Sequence, residues 1–97
     1  MDNFSHKQKL FVSINKLSIK ELENLDVSSW NIWEKEISEF DYHYDTKEEC
    51  YFLEGEVTIV SGTEKYFIKK DDFVVFPKGF DCRWQITRAV RKHYRFS

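Results

Sequence analysis

The chain has 97 residues, and 15 Lys and Arg against 17 Asp and Glu leave a net charge of −2. That balance excludes bulk electrostatic attraction to nucleic acid or to an anionic membrane surface. Such a length makes one domain with a modest core, and nine Phe, five Tyr and three Trp supply much of it, because each ring removes a large area from water. No apolar run is long enough to span a bilayer, and Met1 to Leu17 lacks a signal-peptide core. A soluble, cytoplasmic protein is predicted, with Cys50 and Cys82 as free thiols.

Met1 to Lys9 is polar and without period. Leu10 to Ile14 (LFVSI) reads as an edge strand. Ser18-Ile19-Lys20-Glu21 then matches a capping box, in which the Ser18 hydroxyl and the Glu21 carboxylate each satisfy an amide at a helix start. Leu22 and Leu25 share one face of a helix of roughly two turns, too short to stand alone in water, so it has to dock. This strand and helix occupy roughly residues 10–27 and precede a sheet region over about 30–97. From Trp30 onward the period is two: Phe40, Tyr42 and Tyr44 alternate with Asp41, His43 and Asp45, and Tyr51 and Leu53 with Phe52 and Glu54. Turn signals at Asp45-Thr46, Glu54-Gly55, Ser61-Gly62-Thr63, Asp71-Asp72 and Pro77-Lys78-Gly79 separate VTIV, KYFI, FVVF, CRWQI and VRKHYRF. Short strands joined by tight turns indicate an all-β sandwich or barrel. There is no internal repeat and no linker, so residues 1–97 form a single domain.

Two spacings carry a family resemblance. Glu48 is followed, after six intervening residues, by Gly55; Asp71-Asp72 is followed by Pro77-Lys78-Gly79, with Asp71 where the second motif usually has Gly. From Trp30 to Phe96 the chain resembles a small single-domain RmlC-like cupin of the ureidoglycine aminohydrolase cupin-domain, EutQ-like, family. The resemblance implies a cupin double-stranded β-helix, a jelly-roll barrel, with a short N-terminal helix, and a protein that commonly dimerises. In a metal-binding cupin, two histidines and the glutamate of the first motif and a histidine of the second converge on one ion. Those positions here are Tyr42, Tyr44, Glu48 and Cys82.

A divalent ion at neutral pH wants imidazole, carboxylate or thiolate, and a phenol with a reference pKa of ~10 is protonated. Only Glu48 is a good ligand as it stands; Cys82 becomes one if ionised. No tightly held metal or other cofactor is expected, only weak metal binding through Glu48 and Cys82. His43 lies on the opposite strand face from Tyr42 and Tyr44. The two tyrosines either fill the barrel or turn their hydroxyls to a small polar ligand.

Glu48 resists explanation as packing, because an inward carboxylate loses hydration and must be paired or protonated, the condition in which carboxylates serve as general acids or bases. Lys92 interrupts the set Val90, Tyr94, Phe96 and is the candidate partner if that face is interior. Cys82 shares a face with Trp84, and Cys50 has the parity of Glu48 and Phe52. Buried thiols usually act as small hydrophobes, and reactivity requires a cation such as Lys92 or His93 nearby. Arg91, His93 and Arg95 form a basic stripe on the other face, solvated or facing a subunit.

The expected function is binding of a small polar metabolite in the barrel, with catalysis by a metal-independent enzyme as its extension. Glu48 and Cys82 are the catalytic candidates, and Tyr42, Tyr44, Trp84 and Lys92 position the ligand. The alternatives are a non-catalytic ligand-binding or homodimeric interaction module and a metal-dependent aminohydrolase-like enzyme. A small molecule and a second copy of the chain are the partners expected; nucleic acid and membrane are not.

Overall fold

Alternating aromatic and β-branched residues pair into a seven-stranded antiparallel arrangement. The computed structural model describes residues 9–97. Its strands are β1 (Ser13–Asn15), β2 (Asn31–Lys35), β3 (Ser38–His43), β4 (Glu48–Ser61), β5 (Glu64–Lys69), β6 (Phe73–Phe76) and β7 (Asp81–Phe96), with one helix, α1 (Ile19–Asn24), and a 3-10 turn over Val27–Ser29.

Two long strands serve twice. The first half of β4 lies between β6 and the second half of β7, while its second half lies between β5 and the first half of β7. β7 in turn carries β2 beside its second half and β3 beside its first. Two leaves result, β1-β6-β4-β7-β2 and β5-β4-β7-β3, folded face to face over one core. Phe52 and Phe76 of the first leaf meet Trp84 of the second, with ring centroids 6.4 and 5.8 Å apart. This is the all-β barrel that the alternation and the turn spacing predict, in the jelly-roll form that the resemblance implies.

The crease between the leaves corrects one expectation. Glu54-Gly55 reads as a turn, and CRWQI and VRKHYRF read as separate strands, but β4 runs unbroken for 14 residues and β7 for 16. The ladder instead slips in register around Glu54 and Glu56, and Gly55 takes φ +107°. A Cβ at Gly55 would lie 2.6 Å from the Ala89 carbonyl oxygen and 2.7 Å from Val90 Cα. Glycine therefore marks a bulge where two backbones touch, and a bulge shares its sequence signature with a turn. Asp71 adopts φ +74°, the left-handed backbone natural to the glycine that the second motif usually carries there.

At the N-terminal end the strand expected over Leu10 to Ile14 is shorter and later. Only Ser13–Asn15 pairs, against Phe73–Val75. Leu10 and Val12 pack on the core without pairing. Met1 to Gln8 lie outside the described residues. The capping box forms as predicted: Glu21 N–H donates to Ser18 Oγ at 3.1 Å and Ser18 N–H to Glu21 Oε1 at 2.8 Å. The helix buries none of its own residues. Docking falls to the segment after it, with Val27 buried and the Trp30 indole donating to the Leu25 carbonyl at 3.2 Å.

The crease yields a prediction. Gly55→Ala combines strained φ with overlap against β7 and should destabilise the fold by about 2–4 kcal/mol. Gly62→Ala, at φ +58° with nothing within 4 Å, should cost only about 1–2 kcal/mol. Urea unfolding of both variants checks this; equal losses would refute the close approach.

Candidate functional site

Glu48 opens β4, and Lys92 lies on the neighbouring β7 opposite Phe52. Strand alternation turns both side chains to the interior, where they are 4% and 3% exposed. The long lysine stem reaches back along the barrel, and Lys92 Nζ donates to Glu48 Oε2 at 3.0 Å. It also contacts Cys50 Sγ at 3.7 Å. Aromatic faces enclose the ammonium: Nζ is 4.8 Å from the centroid of Trp84, 5.0 Å from Trp33, 5.8 Å from Phe52 and 5.9 Å from Phe76. The predicted partnership of Lys92 and Glu48 is thus present, with an aromatic enclosure that strand parity alone does not reveal.

Beside the pair is a cavity of about 210 Å³. Trp33, Phe40, Trp84 and Tyr44 wall it, and Tyr42, Tyr94 and Phe96 complete the lining toward solvent. Phe40 stacks on Trp84 at 5.7 Å and 14°, and Trp33 meets Trp84 edge-on at 5.6 Å. Tyr42 and Tyr44 do share one side, as alternation requires, yet their hydroxyls differ. Tyr44 is buried and its oxygen accepts from the Trp84 indole N–H at 3.2 Å, whereas Tyr42 is 41% exposed.

Burial sets the ionisation of this enclosure. It pushes the Tyr44 phenol well above its ordinary range, with Glu48 adding to the effect, and it raises Tyr42 in the same way. Burial by itself would lower Lys92, but the Glu48 carboxylate, helped by the hydrogen bond to Cys50 Sγ, outweighs it, so the ammonium is held above its usual 10.5. Because burial also pushes the Cys50 thiol up, that thiol stays neutral at pH 7. Glu48 is therefore the charge that sustains Lys92.

The same facts decide the fit of a metal ion. Two protonated phenols, one of them already hydrogen-bonded, are poor donors, and the one carboxylate is engaged by an ammonium 3.0 Å away. The donor set at these positions does not suit a divalent cation.

Cys82 does not line this cavity. It is buried on the same face as Trp84, but it lines a separate open cleft with Asp41, Tyr42, His43 and Arg83, and Tyr42 forms the partition between cleft and cavity. Burial, followed by Asp81 and Asp41, pushes its thiol up to about 12. His43 faces outward, with Nδ1 2.7 Å from Asp81 and Nε2 3.5 Å from Asp45. The stripe of Arg91, His93 and Arg95 is occupied by its own chain: Arg91 pairs with Glu34 at 3.2 Å, Arg95 with Glu49 at 2.7 Å, and His93 Nδ1 lies 3.0 Å from the Trp30 carbonyl. Sequence reasoning missed Trp33 and Phe40 as wall residues. The available signal was strand pairing, since Trp33 sits directly opposite Lys92 and Phe40 opposite Trp84.

These placements have two measurable outcomes. Neither thiol should alkylate with iodoacetamide at pH 7.5 in the folded protein, and both should alkylate in urea, as tracked by mass spectrometry; prompt labelling of Cys82 in the folded state would contradict its neutral, buried position. Lys92→Met strands the carboxylate and should cost about 3–5 kcal/mol, whereas Lys92→Met with Glu48→Leu should stay much nearer the parent stability. The pair's contribution is present below the ordinary lysine pKa and is lost as pH rises through the elevated folded value. Chemical unfolding should therefore show parent stability that is constant relative to the double variant from neutral pH to about 10 and falls relative to it above that.

Comparison with known proteins agrees with the architecture. The sequence profile of the EutQ-like cupin domain matches residues 22–94. The crystal structure of a DUF861 family protein from Thermotoga maritima is similar at 50% identity, covering 90% of this chain and 100% of that one, with a TM-score of 0.88. The Clostridium difficile EutQ protein shares the fold at 20% identity, over 88% of this chain and 66% of that one, with a TM-score of 0.64. No functionally curated protein matches the chain. With its jelly roll and both motif spacings in place, the chain belongs to the EutQ-like cupin domain family.

Proposed function

We propose that the barrel cavity binds a small polar molecule without a metal, using the Lys92–Glu48 pair as its polar anchor. One observation carries this reading: a buried ion pair stands on the wall of a cavity of about 210 Å³. A buried pair contributes little stability beyond what apolar residues of the same size would give, so its position beside open space is better explained by recognition. Aromatic walls with a few convergent polar groups are the usual make-up of a small-molecule site. The volume lies below the ~300 Å³ at which drug-sized pockets begin, which suits a small metabolite. Tyr42 adds a hydroxyl at the mouth, while Tyr44 and Trp84 hold the walls. Cys82, opening on the other cleft, has no part in it.

A thermal-shift screen of metabolites tests the reading. Compounds that raise the melting temperature of the parent should bind Glu48→Gln about 10- to 100-fold more weakly, the loss of a charged hydrogen bond. Undiminished binding would remove Glu48 from the site.

A metal-independent enzyme is the second reading, favoured by the 3.0 Å contact that lets Glu48 and Lys92 exchange a proton directly. It requires a bound compound to be turned over by the parent and to be bound but left unchanged by Glu48→Gln.

A further inference from the structure

The polar anchor has a chemical handedness that narrows its guest. Lys92 can only donate hydrogen bonds, and Glu48, ionised, can only accept them. Glu48 and Cys50 engage two of the three ammonium protons, which leaves one, and the carboxylate retains further lone pairs. Because the two groups touch at 3.0 Å, donor and acceptor are presented side by side. We propose that the cavity selects a flat, uncharged ring carrying a lactam edge, its N–H donating to Glu48 and its carbonyl accepting from Lys92. This assignment rests on the cavity being the binding site argued above.

Charge excludes the simpler alternatives. The pair sums to zero in a site walled by rings, so an anionic guest leaves a negative charge uncompensated beside Glu48 and a cationic guest leaves a positive one beside Lys92. Hydrogen-bond polarity agrees: a carboxylate offers two acceptors and an amidinium two donors, and each satisfies only half of the pair. Only a group with an acceptor and a donor on the same edge satisfies both.

Among secondary amides, shape then selects the ring, and the aromatic walls favour a flat one over an open-chain primary amide. An open-chain secondary amide prefers trans, with N–H and C=O on opposite sides, and its cis form costs about 2.5 kcal/mol; a small ring fixes cis without that cost. Phe40 and Trp84 lie nearly parallel at 14°, and Trp33 stands edge-on to Trp84 at 69°, giving ring faces and edges that suit an aromatic plane. Entry is past Tyr42 and Phe96, 41% and 48% exposed.

Four probes of similar size test the assignment by titration calorimetry or NMR on the parent chain: 2-pyridone, N-methyl-2-pyridone, benzoate and benzamidine. 2-Pyridone should bind, and each of the other three should bind at least about tenfold more weakly, having lost one hydrogen bond or brought an uncompensated charge. The Lys92→Met, Glu48→Leu double variant, which keeps an apolar wall, should bind 2-pyridone and its N-methyl analogue equally. Tighter binding of benzoate or benzamidine overturns the lactam assignment while leaving the cavity a binding site. Failure of all four probes up to about 10 mM also overturns it, and the metabolite screen then decides independently whether the cavity binds anything.

Discussion

An ammonium ion enclosed by ring faces and held by one carboxylate governs what this barrel can contain. Withdrawing a lysine from water costs several kcal/mol even after relaxation, and the faces of Trp33, Trp84, Phe52 and Phe76, all 4.8 Å or more from Nζ, offset part of it. The remainder has to come from Glu48, whose own desolvation is offset by the same contact. Neither group is tolerable alone, and together they are neutral. The cation inside this jelly roll is a lysine of its own sheet, 3.0 Å from the carboxylate.

That arrangement depends on the topology. β4 supplies the carboxylate and β7 the lysine, and these two strands belong to both leaves. The rings that complete the enclosure arrive from several directions: Trp33 on β2, Phe76 on β6, and Trp84 on the other half of β7. The bulge at Gly55 turns the shared strands so that the leaves close on one another. Site and crease are therefore parts of one geometry, joined through the same pair of strands.

Much of this is legible in the chain because it is local. The capping box is read from four adjacent residues. Strand parity places Lys92 with Tyr94 and Phe96, Glu48 with Cys50 and Phe52, and His43 opposite Tyr42 and Tyr44, and the structure keeps every one of those faces. Parity does not say how far a shared face remains one chamber. Cys82 and Trp84 point the same way, yet the Tyr42 ring separates a cleft from a cavity between them. Nor does it name the neighbour across a ladder: Trp33 reaches Lys92 only because β2 pairs with β7, a matter of connectivity over some sixty residues. Gly55 misleads for a different reason. A residue free of steric restraint permits both reversal and bending, and only the approach of Ala89 distinguishes them.

The double duty of β7 also constrains how the chain can mature. Nearly every strand pairing reaches it or passes through β4, its principal partner, and its residues emerge from a ribosome after those of all the other strands. Until residues 81–96 are available, Glu48 has no counter-ion and neither leaf has the strand that joins β4 to its far edge, β2 in one leaf and β3 in the other. Closure must then join distant segments, the kind of search that makes β-rich topologies slow. Before residues 81–96 emerge, β4 can pair with β5 and β6, but β2 and β3 have no partner, so closing the two leaves into a barrel is the last step open to the chain.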